Sequence, residues 1–122
     1  MKTLLAAALA LTVLTPAAAS ATSPACDVSV QFGSYAMGID GRAFDKVQRY
    51  VARHPRLIRT SSVSSWGREG EKTVCLTTFN GRKGMTTVFR DIRGLVGKGQ
   101  RGPVEVRTLD ERVWASHPSM PR

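Results

Sequence analysis

From residue 26 onward, apolar and polar positions recur with two alternating periods, and these divide the chain into six short elements. Val28, Val30 and Phe32 alternate with Ser29 and Gln31, the two-residue period of a strand with one buried face. Gly33 to Gly38 ends that strand in a loop. Asp40 then stands where a helix N-cap is needed, with a carboxylate suited to accept from a first-turn amide. Ala43, Phe44, Val47, Tyr50 and Val51 recur at helical spacing and predict a helix over 41–53. His54-Pro55 stops it, because the residue before a proline is pushed out of the α region.

Leu57 to Trp66 and Glu71 to Phe79 are rich in β-branched and hydroxyl residues. Gly67-Arg68-Glu69-Gly70 lies between them, a connection of hairpin length with glycine at both ends. Met85, Val88, Phe89, Ile92, Leu95 and Val96 predict a second amphipathic helix over 83–96, with Gly97 as its C-terminal cap. Val104, Val106 and Thr108 alternate with Glu105 and Arg107 as a last strand. Residues 110–122, with two prolines, read as a flexible C-terminal tail, from which Trp114 is placed to fold back. This order predicts an α+β, ferredoxin-like βαββαβ fold: a four-stranded antiparallel sheet with two helices on one face.

The first 21 residues follow a different logic. Lys2 supplies a positive start, Leu4 to Leu14 an apolar run, and Ala17 to Ala21 the small residues of a cleavage site. The run is shorter than the roughly 20 apolar residues of a bilayer span. Residues 1–21 are therefore expected to be a signal peptide, cleaved after Ala19 or Ala21, with no transmembrane segment left afterwards. Residues 22–109 follow as a single α+β domain, periplasmic or secreted. Cys26 also admits a lipoprotein signal, but Ser23-Pro24-Ala25 resembles a lipobox poorly.

In an oxidising compartment Cys26 and Cys75 are read as a disulfide. Their parities conflict: Cys26 shares that of Val28, Val30 and Phe32, whereas Cys75 alternates with Val74 and Leu76. The preferred resolution is that Cys26 precedes the regular strand and escapes its alternation.

Charge changes the picture most. The chain carries 18 Lys and Arg against 9 Asp and Glu, a net charge of +9. Losing Lys2 with the leader reduces this to +8. Such a balance favours polyanionic partners. Arg42, Lys46, Arg49 and Arg53 stand at i, i+4, i+7 and i+11 of the first helix, and Arg56 and Arg59 continue the series. These six are the candidate anion-binding residues, since arginine's fork suits phosphate and carboxylate. Asp45 is expected to pair with Arg49 across one turn. The plain alternative is a solvated basic face with no dedicated ligand. Outside the cytoplasm the expected partner is an anionic envelope component or an acidic protein, and nucleic acid ranks below both.

No GxSxG, HExxH, Walker or EF-hand pattern occurs, and no catalytic, metal or cofactor residue is assigned. His54 and His117 each precede a proline and read as exposed loop histidines. Trp66 and Arg68 mark the hairpin as a candidate protein contact. The first expectation is a small exported non-catalytic envelope protein that binds an anionic partner through a basic helix face. The second is a protein-interaction or inhibitor module using the sheet edge or the Trp66 hairpin. The third is a small enzyme whose site is assembled in space without a linear motif. Intact-mass measurement on exported protein is expected to give a chain starting at Ser20 or Thr22. Retention of Met1, or a lipid adduct on Cys26, would contradict the export reading.

Overall fold

The computed structural model describes residues 25–97 and 101–116. The segment expected as a signal peptide, Lys98 and His117 lie outside the described residues. Chain order is β1 (Val28–Phe32), α1 (Gly41–Arg53), β2 (Ile58–Trp66), β3 (Glu71–Thr78), α2 (Gly81–Val96), β4 (Val104–Thr108) and β5 (Val113–Ala115). Over the described residues the architecture is α+β, with two helices and one five-stranded antiparallel sheet in the order β2-β3-β1-β4-β5.

The fifth strand corrects the four-stranded, ferredoxin-like expectation, and it comes from the stretch read as tail. A side-chain knot at the β4–β5 turn brings the chain back. Thr108 N donates to the Arg112 carbonyl (2.9 Å) and Thr108 Oγ1 accepts from Arg112 N (3.0 Å). The Thr108 hydroxyl and Arg112 Nε both donate to Asp110 Oδ1. The Arg112 and Thr108 bonds hold the Asp110 carboxyl below the usual carboxylate range. Trp114 then packs, half-buried, against the core.

The core is one helix–sheet layer. Val28, Val30 and Phe32 of β1, Val74 and Leu76 of β3, and Val104 and Val106 of β4 are fully buried. Ala43, Val47 and Tyr50 of α1 and Met85, Val88, Phe89, Ile92 and Val96 of α2 cover them. Phe32 and Phe44 meet edge to face at 5.4 Å, a favoured aromatic geometry. Coverage stops at β3. In β2 only Ile58 is buried, and a register shift between Ile58 and Thr60 separates it from the exposed run that follows. Among the described residues no helix is long and apolar enough to cross a membrane.

Cys26 and Cys75 form a disulfide with a Cα–Cα distance of 5.2 Å. Cys75 pairs with Ser29 on β1 and lies on the face turned away from the helices. Cys26 precedes a bend at Asp27 and so escapes the alternation of β1. A sulfur in this bond is not available to carry a lipid. Asp27 fastens the same corner, its Oδ2 accepting from Thr78 N (2.7 Å) and its carbonyl from Leu109 N (2.9 Å).

The bond closes a loop with a sequence separation of 49. On the chain-entropy view this restricts the unfolded state by up to about 4 kcal/mol. Denaturant melts should show a lower midpoint for C26S/C75S than for the oxidised protein. Without reductant, neither cysteine should take up an alkylating agent. Two freely alkylated thiols and an unchanged midpoint would contradict the bond.

Candidate anion-binding cleft

The site is built on α1, and its geometry begins at the cap. Asp40 Oδ1 accepts from Ala43 N (3.1 Å), so the expected N-cap forms. Ala43, Val47 and Tyr50 then face the sheet, and the helical period leaves Arg42, Lys46, Arg49 and Arg53 exposed on the other side. The helix ends at His54, whose N–H donates to the Val51 carbonyl (3.3 Å).

His54 is not the solvated loop residue expected from its place before Pro55. Its ring stacks on Tyr50 with centroids 4.1 Å apart. Its Nδ1 lies 2.7 Å from the Tyr50 carbonyl. A carbonyl only accepts, so Nδ1 carries the proton in that bond. The Tyr50 hydroxyl in turn donates to Asp91 Oδ2 of α2 (2.7 Å). Burial first, and then this bond to a carboxylate, raise the phenol well above its ordinary range, so it remains a neutral donor.

Lys46, Arg49 and Arg53 converge with Tyr50, His54 and Leu95 on a cleft of about 230 Å³ between the C-terminal half of α1 and α2. The aromatic stack and Leu95 supply apolar wall, and the three cations supply charge. None of the three forms an ion pair among the described residues. Among the described residues the ion pairs are Arg82–Asp110, Arg90–Asp91, Arg107–Glu105 and Arg112–Asp110. The Asp45–Arg49 pair expected from spacing is not formed, in keeping with the small net gain of exposed ion pairs over side-chain entropy.

The six candidate cations therefore divide. Lys46, Arg49 and Arg53 share the cleft. Arg42 lies two turns before Arg49, about 10 Å along the axis at 1.5 Å per residue, and does not line it. Arg56 is exposed in the following turn. Arg59 belongs to another surface, with its guanidinium 4.9 Å from the Phe79 ring centroid. Trp66 and Arg68 also lie outside the cleft. Trp66 Nε1 donates to Thr73 Oγ1 (3.0 Å), which lays the indole along the uncovered sheet face, and Arg68 is exposed in the hairpin turn.

Sequence reasoning missed Tyr50, His54 and Leu95 as site residues, reading two as core and one as loop. The i, i+4 spacing of Tyr50 and His54 was the available signal. The link to Asp91, 41 residues away, left none. Chemically the cleft offers fixed positive charge beside apolar surface. The phenol is held protonated, and Nδ1 is engaged by the backbone. Among the described residues no group of three His, Cys, Asp or Glu is placed to hold a metal. Comparisons with known protein families, with curated proteins and with solved structures find no match.

Tyr50→Phe should lower stability at neutral pH by about 1 kcal/mol, the typical net contribution of one such bond. The sign of the pH effect follows from the raised phenol. Its contribution is complete below the unfolded tyrosine value of about 10 and is lost as pH rises toward the higher folded value. Urea melts from pH 8 to pH 11 should show the wild type losing stability above pH 10 more steeply than Y50F. Parallel curves would contradict the buried Tyr50–Asp91 bond.

Proposed function

We propose that this is a small exported envelope protein, non-catalytic in role, that binds an anionic partner through the basic face of α1. The observation that carries the reading is the convergence of Lys46, Arg49 and Arg53, free of ion pairs among the described residues, on one concave surface. Unneutralised guanidinium groups held on a rigid helix meet phosphate or carboxylate with little further ordering. The disulfide supports a periplasmic or secreted location. For the fold, we read β5 as an addition at the β4 edge of a ferredoxin-like core, supported by the order β2-β3-β1-β4 of the remaining strands.

A second reading, a protein-interaction or inhibitor module, draws support from β2. This edge strand is exposed from Arg59 to Trp66, and no strand among the described residues pairs with its outer edge, the kind of edge that accepts another strand. Salt separates the two, because contacts to anions weaken steeply with ionic strength and strand pairing does not.

R49Q/R53Q should leave the fold intact, since both positions are exposed. Retention on an immobilised polyanion such as heparin should fall, and so should the slope of log affinity against log salt. For a nucleic-acid probe the slope should drop by roughly 0.7–0.9 per lost phosphate contact. R82Q/R107Q removes the same charge from positions off the cleft and should change retention far less. Equal losses from both pairs would reduce the site to general positive charge.

A further inference from the structure

At the opposite end of α1 from the cleft, three loops meet in one surface. Gly33 N donates to the Pro103 carbonyl (2.9 Å), and Arg101 N to Asp40 Oδ2 (3.0 Å). Gly102 fits so closely between them that a Cβ there would lie 3.2 Å from the Gly33 carbonyl and 3.4 Å from Asp40 N. The 33–40 loop also reaches the β2–β3 hairpin, where a Cβ on Gly38 would lie 3.8 Å from the Glu69 carbonyl. Inside the loop, Ser34 Oγ accepts from both Ala36 N and Gly38 N (each 3.0 Å). These bonds span Ala36, which sits at φ 115°, a conformation that L-residues rarely adopt.

This braced loop displays apolar side chains outward. Met37 is 96% exposed and Tyr35 54%, and Trp66 stands beside the adjoining hairpin at 41%. Arg42, Arg68 and Arg101, all exposed, lie on the segments that meet here, next to Asp40, Glu69 and Gly102. The acids of this end are largely withdrawn. Asp40 and Glu71 are buried and accept backbone N–H groups, which leaves Glu69 as the exposed carboxylate of these loops.

We propose that this end docks on an anionic phospholipid bilayer, with Met37 and Tyr35 entering the interfacial layer and Arg42, Arg68 and Arg101 meeting headgroup phosphates. A methionine left almost wholly in water gains nothing inside the fold, and a bilayer interface removes it from water. Aromatic rings favour that same layer, and anionic headgroups complement the arginines. The shape favours lipid over protein: a protruding tip needs a matching pocket in a protein, whereas a bilayer yields around it. The surface is independent of the cleft, because Arg42 is the only α1 cation it uses and Arg42 does not line the cleft.

The test is co-sedimentation of exported protein with vesicles of phosphatidylglycerol and phosphatidylcholine, against phosphatidylcholine alone. Wild type should sediment with the anionic vesicles and only weakly with the neutral ones. M37S should lower the partition coefficient about tenfold or more, the effect of losing one buried apolar side chain. R68Q/R101Q should lower it by a similar factor. Since Met37 is exposed, M37S keeps the fold, and the loss it causes should be the same in the R49Q/R53Q background. Equal sedimentation of wild type and M37S overturns the proposal. So does vesicle binding lost only in R49Q/R53Q, which would move the lipid to the cleft and leave the anion-binding reading standing. Met37-dependent self-association or protein capture without vesicle binding also overturns it.

Discussion

Asp40 is 4% exposed, and its two carboxylate oxygens serve two parts of the chain: Oδ1 accepts from Ala43 N and Oδ2 from Arg101 N. The first bond satisfies a first-turn amide of α1 and fixes where the helix begins. The second fastens the lead-in to β4 against that same point. Removing the carboxylate would forfeit a cap worth about 1 kcal/mol and strand a second amide in a buried setting. More depends on it than stability. The start of α1 sets its rotational register, and the register decides that Ala43, Val47 and Tyr50 turn inward while the cations turn outward. At the other end, the Tyr50 hydroxyl bonds Asp91 of α2. A helix pinned at both ends presents its charges at fixed positions, which is what a site made of long flexible side chains needs.

The second constraint is uneven coverage. Two helices cover β1, β3 and β4 and leave β2 bare beyond Ile58. In a chain this short a single helix–sheet layer buries limited apolar surface, and the Cys26–Cys75 bond on the uncovered side offsets that shortage by restricting the unfolded state. The open side is polar as a consequence: Ser29 and Gln31 of β1 share it with Thr73, Cys75 and Thr77 of β3. Thr77 reaches across to Thr60, with hydroxyl oxygens 2.5 Å apart, so the face is knitted by side-chain bonds where a helix would otherwise pack.

Much of the fold was legible because it rests on local periods. The alternation of Val28, Val30 and Phe32 and the helical stripes of α1 and α2 are set by burial on one side, and burial leaves its mark on sequence. The unread features depend on pairings across the chain. β5 has three residues, too few for a period, and its turn is held by Thr108, Asp110 and Arg112. The parity conflict of Cys75 needed only the bend at Asp27. For the cleft, helical spacing gathered Lys46, Arg49 and Arg53, whereas Arg42, Arg56 and Arg59 of the same series do not line it. Helix length moves Arg42 away, and the break between Ile58 and Thr60 accompanies the turn of Arg59 to another surface. Asp91 and Leu95 join the site only because α1 and α2 pack together.

The most direct measurement of the cleft is a ¹H–¹⁵N chemical-shift titration with a short polyphosphate at constant ionic strength. Saturable shifts concentrated on Lys46, Arg49, Arg53, His54 and Leu95 are expected, with Arg82, Arg107 and the β2 residues little changed. Shifts spread evenly over the exposed arginines, without saturation, would contradict a defined anion site between α1 and α2.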